Sequence, residues 1–330
     1  MVILLAEKDK YPDLSICPED YAPALWKHMS AEDKRKWYDR HWAYEKKQAE
    51  KLKNLPEGPD GQRLLPLVFS DTTPKGSTGT AVSFVRSAVF GMVKRGKRRL
   101  VGDEKLSSNA DFDIYFTGYE VDQNDLSTFM AVCDMYREEP KKVEYGVLRC
   151  KMHGIIKRLG LKDNSKIRKI VADRLERLTK AHVTVISGPR RVAGTVLSTF
   201  GIDEKTGDTI IRPNVELQSL FLGQEWQLMN REVRLALGSN QLAMWLHAFY
   251  SSHKPPIYRY KVETLKELCR SQAKELRRFK FMLKEALAFW QKNDPRLVYW
   301  EIDEEDCVVI DMGSGAIARK ADRGNKSTKK

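Results

Sequence analysis

Two stretches of the chain place apolar residues at three- and four-residue steps and cations on the opposite side. In S-Q-A-K-E-L-R-R-F-K-F-M-L-K-E-A-L, residues 271–287, Leu276, Phe279, Leu283 and Leu287 share one face. That spacing predicts a helix over 273–292 seated on a core. Its outward side carries Lys274, Arg277, Arg278 and Phe281, with Lys280 and Lys284 on the flank and Ser271 and Gln272 at the mouth. In K-I-R-K-I-V-A-D-R-L-E-R-L-T, residues 166–179, the inner face is Ile167, Ile170, Val171, Leu175 and Leu178. K-D-N-S at 162–165 works as turn and N-cap. Ser165, Lys169 and Ala172 point outward, with Lys166 and Arg168 on the flanks, while Arg174 lies near the apolar side and reads as paired or snorkelling. One such helix is equally well explained as a solvated basic face. Two in matching contexts are harder to explain that way.

The contexts match because the order of elements repeats. Helices are predicted over 125–139, 147–159, 241–252 and 262–270. Alternating strands follow the basic helices: H-V-T-V-I-S after the first, and L-V-Y-W-E-I with C-V-V-I-D, joined by D-E-E-D, after the second. Helix, helix, basic third helix and hairpin is the winged-helix order. The expected fold class is therefore α+β, with two tandem winged-helix domains (helix-turn-helix with a β-hairpin wing) at 63–225 and 226–312. Residues 1–62 read as an N-terminal helical extension. There Ser30 caps a helix whose apolar positions Trp37, Trp42, Tyr44 and Leu52 make no clean core face, which suits a surface or partner helix. A short helix is expected at 83–93, and a basic, disordered tail over 313–330.

Charge gives the pattern a partner. Across 330 residues, 58 Lys+Arg face 45 Asp+Glu, a net +13, which favours polyanions. In a helix-turn-helix the second helix enters the DNA major groove, where an arginine fork matches a guanine edge and an apolar group meets a thymine methyl. On that basis 165–179 and 273–292 are the candidate reading helices for double-stranded DNA. Arg190 and Arg191, after the first strand, suit a wing on the backbone or minor groove. Lys94, Arg95, Lys97, Arg98 and Arg99 form a further phosphate-contact cluster.

Other chemistry is not expected. No run nears the roughly 20 apolar residues of a membrane span. The five cysteines are scattered and contain no C-x-x-C, which suits reduced thiols in a cytoplasm and no structural zinc. No phosphate-cradling G-x-x-x-x-G-K-[ST] and no H-x-H or H-E-x-x-H occurs, so neither an ATPase, a metal-dependent nickase nor a cofactor is expected. E-I-D-E-E-D, residues 301–306, is better explained as a hairpin turn than as a cation loop.

From S-A-V-F at 87–90, through I-Y-F-T-G-Y-E, to A-F-Y-S-S-H-K-P-P-I-Y-R-Y-K-V-E-T-L-K-E-L-C and the 273–292 helix, the sequence resembles the TrfA family of plasmid replication initiators. The resemblance implies tandem winged-helix domains on directly repeated origin sites (iterons) and no enzymatic activity. It also implies recruitment of the host initiator, replicative helicase and sliding clamp, and a monomer–dimer equilibrium. The first 60 residues depart from the family pattern. The clamp-binding Q-L-S-L-F is not present as such; L-L-P-L-V-F at 64–69 stands in its place, with Arg63 where the glutamine belongs. L-Q-S-L-F at 217–221 is another near-match to that pentapeptide, expected to serve packing. By the residues alone, a winged-helix transcriptional repressor without a replication role remains the alternative.

Overall fold

The computed structural model describes residues 11, 13–16, 26–27, 29–53, 76–93, 98–108, 112–214, 217, 220, 226–238, 240–253 and 259–313. The segments 64–69, 94–97 and 314–330 lie outside them. The chain divides into two compact units, 1–65 and 66–330.

The first unit contains α1 (Ala31–Lys53). Ser30 starts it: its Oγ accepts from the Asp33 amide at 3.1 Å and donates to the Asp33 carboxylate at 2.7 Å. The apolar positions of this helix look unpartnered in sequence. Trp37 and Tyr38 nevertheless pack edge-to-face with Trp26, at 5.6 and 5.8 Å between ring centres. Trp26 precedes the cap, so no helical period could reveal it as the partner.

The second unit is mixed α+β with small antiparallel sheets. Its elements run β1 (Ser77–Ala81), α2 (Val82–Val85), β2 (Leu100–Leu106), β3 (Asp113–Tyr119), α3 (Gln123–Glu138), β4 (Val143–Glu144) and β5 (Val147–Lys151). Then come α4 (Met152–Arg158), α5 (Ser165–Thr179), β6 (His182–Ser187), β7 (Arg190–Thr195), β8 (Leu197–Asp203), β9 (Asp208–Pro213) and β10 (Trp226–Asn230). The second half holds α6 (Arg231–Ala236), α7 (Gln241–Ser251), β11 (Tyr260–Lys261), α8 (Val262–Leu268), α9 (Leu276–Asn293), β12 (Tyr299–Ile302) and β13 (Cys307–Asp311). The strands pair in the orders β2-β3-β6-β7, β4-β5-β9-β8, β1-β10 and β11-β13-β12.

Each half has its own core. The first gathers Phe84, Phe90, Ile114, Phe116, Phe129 and the α5 residues Val171, Leu175 and Leu178; Leu217, Leu220 and Met229 also belong to it. The second gathers Trp245, Phe249, Phe279, Leu283, Leu287 and Trp290. Two expectations are corrected. Residues 147–159 are not one helix: V-L-R-C-K buries alternate residues as a strand, and only Met152–Arg158 is helical. The helix expected at 83–93 ends after one turn at Val85. Beyond it the backbone crosses to the second half, where the Met92 amide donates to the Cys269 carbonyl at 2.7 Å. Gly91 makes that approach feasible, since a β-carbon there would sit 2.8 Å from the same carbonyl oxygen.

The two halves repeat a local pattern. A strand ends in an extended residue, Lys151 or Lys261, which directly precedes the short helix α4 or α8. Each short helix then closes on a left-handed residue, Gly160 (φ 65°) in the first half and Arg270 (φ 56°) in the second. The next amides reach back five residues, Leu161 to Ile156 at 3.2 Å and Ser271 to Lys266 at 2.9 Å. This is the helix-ending geometry that glycine usually supplies. A turn follows, and then the longer helix, α5 or α9.

Polar groups join the halves. Arg234 is only 3% exposed, and burial lowers its pKa to about 9. Its guanidinium donates to the Gln123 carbonyl and side-chain oxygens, each at 2.9 Å, and to Ser127 Oγ at 3.0 Å. Arg231 pairs with Glu138 at 2.8 Å and Asp134 at 3.2 Å. Arg270 pairs with Glu104 at 3.4 Å and Glu120 at 3.5 Å. Arg86 donates to Ser252 Oγ at 2.8 Å.

Candidate nucleic-acid interface

Helix α9 separates its two faces cleanly. Phe279, Leu283, Ala286, Leu287 and Trp290 have no exposure, while Lys274, Arg277, Arg278, Phe281 and Lys284 are exposed. Hydrophobic burial fixes the helix by its inner face and so aims the outer one. The helix starts at Leu276, three residues later than the sequence predicts, with Glu275 at the cap and no capping side chain. Ser271 and Gln272 consequently lie in the preceding turn. Ser271 is half-buried and its Oγ accepts from the Ala273 amide at 3.4 Å, whereas Gln272 is exposed.

The cations of α9 differ in how they are held. Arg278 stacks over the Phe281 ring at 5.6 Å, which accounts for an aromatic left in water. Lys280 is half-buried and ion-paired to Asp306 in the turn between β12 and β13. Lys274, Arg277 and Lys284 make no ion pair among the described residues.

Helix α5 is organised otherwise. Asn164, not Ser165, is its N-cap: the Asn164 side chain accepts from the Ile167 amide at 3.0 Å, and Ser165 is the first helical residue. Ser165, Lys166, Arg168 and Lys169 are exposed. Lys166 and Lys169 make no ion pair among the described residues. Arg168 is forked onto Asp163, Nε to Oδ1 at 2.7 Å and Nη2 to Oδ2 at 2.8 Å, and His153 Nδ1 meets the same Oδ2 at 2.9 Å. These partners hold the Asp163 carboxyl at about 2, below its ordinary value, Arg168 contributing most and His153 next.

On the other side of α5, Arg177 bonds the fully buried Asp125 at 2.9 Å. Burial lowers the pKa of Arg174, with Asp125 and Asp122 opposing that shift. Arg174 therefore sits as the sequence suggests, near the apolar side and facing carboxylates. Arg190 and Arg191 are exposed where β7 begins, just past the Gly188 turn.

One expected cluster is corrected. Within the basic run 94–99, only Arg98 and Arg99 are described, and neither stands free for phosphate. Arg98 pairs with Asp122 at 2.7 Å and Asp125 at 3.2 Å. Arg99 pairs with Glu104 at 2.9 Å and Glu120 at 3.3 Å. The carboxylates that sort these cations are the part that sequence reasoning misses. Their one visible signal is D-Q-N-D at 122–125, an N-cap with a reciprocal acid three residues on.

The two hairpin turns carry opposite charge. Gly188–Pro189–Arg190–Arg191 is basic, and Asp303–Glu304–Glu305–Asp306 is acidic. Asp303 accepts the amides of Glu305 and Cys307 at 3.0 and 2.8 Å, so this acid closes its own turn. Among the described residues, no group of His, Cys, Asp or Glu is placed to hold a metal ion. No helix among them is long and apolar enough to cross a membrane.

No family model and no curated relative matches the chain. Solved structures similar to it include three of replication proteins. One is domain 2 and domain 3 of RctB as selenomethionine derivatives, 14% identical, TM-score 0.48, covering 70% of this chain and 98% of that one. A second is RctB domains 2–3, 14% identical, TM-score 0.43, covering 68% and 96%. The third is Pi initiator protein in complex with iteron DNA, 10% identical, TM-score 0.41, covering 58% and 95%.

Proposed function

We propose that the chain is a plasmid replication initiator that binds iterons in double-stranded origin DNA. In this reading two tandem winged-helix domains, 63–225 and 226–312, place α5 and α9 in successive major grooves. The observation that carries it is α9: a helix locked by a fully buried face presents Arg277 and Lys284 to solvent with no described counter-ion, beside the stacked Arg278 and just past Lys274 in the preceding turn. A surface of unneutralised cations on a rigid rod is what a phosphate backbone recruits. Support also comes from the second occurrence of the same element order in the first half, ending in α5. The sequence resemblance to the TrfA family supplies the finer assignment. Recruitment of the host initiator, helicase and sliding clamp, and exchange between monomer and dimer, follow from that resemblance. So does the lack of enzymatic activity, while a cytoplasmic location follows from the scattered cysteines.

The test joins binding to replication. The purified chain should bind direct repeats beside its own gene with a footprint over two groove faces about 10 bp apart. Affinity should fall about 10³- to 10⁵-fold between 50 and 200 mM salt if six to ten phosphates are contacted. Arg277→Ala or Arg278→Ala should cost about 1–3 kcal/mol on the repeat and relax preference at one base pair. A plasmid carrying the gene and repeats should replicate, and should stop when the repeats are deleted. A flat salt dependence would sink DNA binding. A single promoter palindrome with no replication phenotype would favour a repressor.

A further inference from the structure

The fork between Arg168 and Asp163 is an odd arrangement for a residue meant to hold phosphate. Asp163 is the residue before the N-cap of α5, and its carboxylate offsets the Arg168 charge at 2.7 and 2.8 Å. A neutralised cation attracts a polyanion weakly, and a carboxylate beside it repels one. What the pair loses in charge it gains in orientation. A guanidinium has two edges that each present two roughly parallel N–H groups, one through Nε and Nη2, the other through Nη1 and Nη2. Asp163 takes the first edge, so the second is left to point outward. The side chain is 56% exposed, and His153, at the start of α4, holds the far side of the carboxylate at 2.9 Å. The low carboxyl pKa, set mainly by Arg168 and then by His153, keeps Asp163 ionised and the fork made at any physiological pH.

Two parallel donors match the O6 and N7 acceptors that guanine alone presents in the major groove. The neighbours divide the work: Lys166 and Lys169, one on each side in sequence and without a described ion pair, remain for phosphates. The geometry points to Arg168 as a guanine-reading residue, with Asp163 as the positioning residue that fixes its plane. This rests on the DNA-binding reading above and adds a specific base to it. By contrast, no carboxylate is forked onto Arg277 or Arg278 among the described residues.

The experiment uses the full chain, the cognate repeat, the same repeat with single guanines replaced by 7-deazaguanine, and scrambled duplex, all at matched salt. Wild type should lose about 5- to 150-fold in affinity at one particular 7-deazaguanine position. Arg168→Ala should be indifferent to that substitution, and Arg168→Lys should be less sensitive to it than wild type, since lysine keeps the charge and lacks the planar fork. Arg168→Lys should leave the salt slope nearly unchanged, while Arg168→Ala, which bares the Asp163 carboxylate, should lower it by up to about one. Asp163→Asn should bind the cognate repeat more weakly, bind scrambled DNA as well as or better than wild type, and steepen the salt slope by about one, because a cation has been uncovered. Circular dichroism and thermal unfolding confirm that each variant is folded. If Arg168→Ala loses affinity equally on cognate and scrambled DNA and keeps the wild-type loss at 7-deazaguanine, Arg168 is a phosphate contact. Full discrimination by folded Asp163→Asn would make the fork only a brace for the helix end. Both outcomes leave the DNA-binding reading standing; a wild-type chain with no sequence preference would overturn that reading and this subsite together.

Discussion

In the first half, Arg168 is forked onto Asp163, Arg177 onto Asp125, and Arg98 onto Asp122 and Asp125. In the second half, Arg277 and Lys284 on α9, and Lys274 just before it, stand in solvent with no described counter-ion, while Lys280 is tied to Asp306. The same order of elements thus carries two electrostatic designs. Cations held by carboxylates have little net charge to offer but a fixed direction, which suits discrimination between bases. Free cations on a rigid helix offer charge without a fixed hydrogen-bond geometry, which suits affinity at any sequence. The hairpin turns differ as well: the one after α5 is basic and the one after α9 is acidic.

The largest effect should come from stripping the second design. Replacing Lys274, Arg277, Arg278 and Lys284 together by alanine should lower affinity for scrambled duplex by about 10³-fold or more, lower that for the cognate repeat further, and reduce the salt slope by three to four. Retention of the wild-type slope would remove α9 from the interface and end the comparison.

Next in size is the link between the halves. Arg234→Ala leaves the Gln123 carbonyl and side-chain oxygen without their buried donor, at a cost of about 2–4 kcal/mol in unfolding free energy. Urea titration followed by tryptophan fluorescence should show an earlier midpoint. An unshifted midpoint would mean that the two cores need no buried clamp.

An effect of similar size should appear as pH dependence. Burial raises the Asp134 carboxyl to about 6, against 3.8 when free, with Arg231 and Arg137 opposing the shift. Between about pH 4 and 6 the folded chain therefore binds more protons than the unfolded one, and stability falls as pH rises through that window. The size is about 3 kcal/mol over the full window. Asp134→Asn should remove this slope, measurable as thermal midpoint against pH, and an unchanged slope would show that Asp134 titrates normally.

The smallest contrast lies within α9. Lys284→Ala should lower the salt slope by about one, and Lys280→Ala by distinctly less, because Asp306 already neutralises Lys280. Equal changes would mean that DNA strips Asp306 away.

The inner faces of α5 and α9 were legible in the sequence because local spacing specifies them: Phe279, Leu283 and Leu287, like Val171, Leu175 and Leu178, are all fully buried. The outward lysines and arginines followed by geometry. Helix starts were less legible, since Asn164 and Ser165 are both good caps and only the folded turn decides between them. Long-range pairing was not legible at all. β1 and β10 pair across some 150 residues of sequence, Ser77 with Asn230 through Ala81 with Trp226. Likewise Arg99 meets Glu120, and Arg270 meets Glu104, only because separate strands and turns converge. Periodicity reports which way a side chain faces; it carries no information on which distant carboxylate awaits it there.

Arg270 occupies a corner that, at the matching place in the first half, is glycine. A left-handed arginine carries a local penalty of about 1–2 kcal/mol that glycine avoids. The α8 end would therefore be more comfortable as Arg270→Gly, and the only described return for keeping the longer side chain is its reach to Glu104 and Glu120. Local and long-range preferences are frustrated at this one residue. A drift to glycine would look benign in any assay of folding, yet it would leave the start of the 271–275 turn tied to the first half by the Met92–Cys269 backbone bond without the Arg270 ion pairs. On the proposed reading, such a variant would be stable and would still bind DNA, while the distance and angle between the two grooves became soft. The loss would surface only as tolerance for altered spacing within the site.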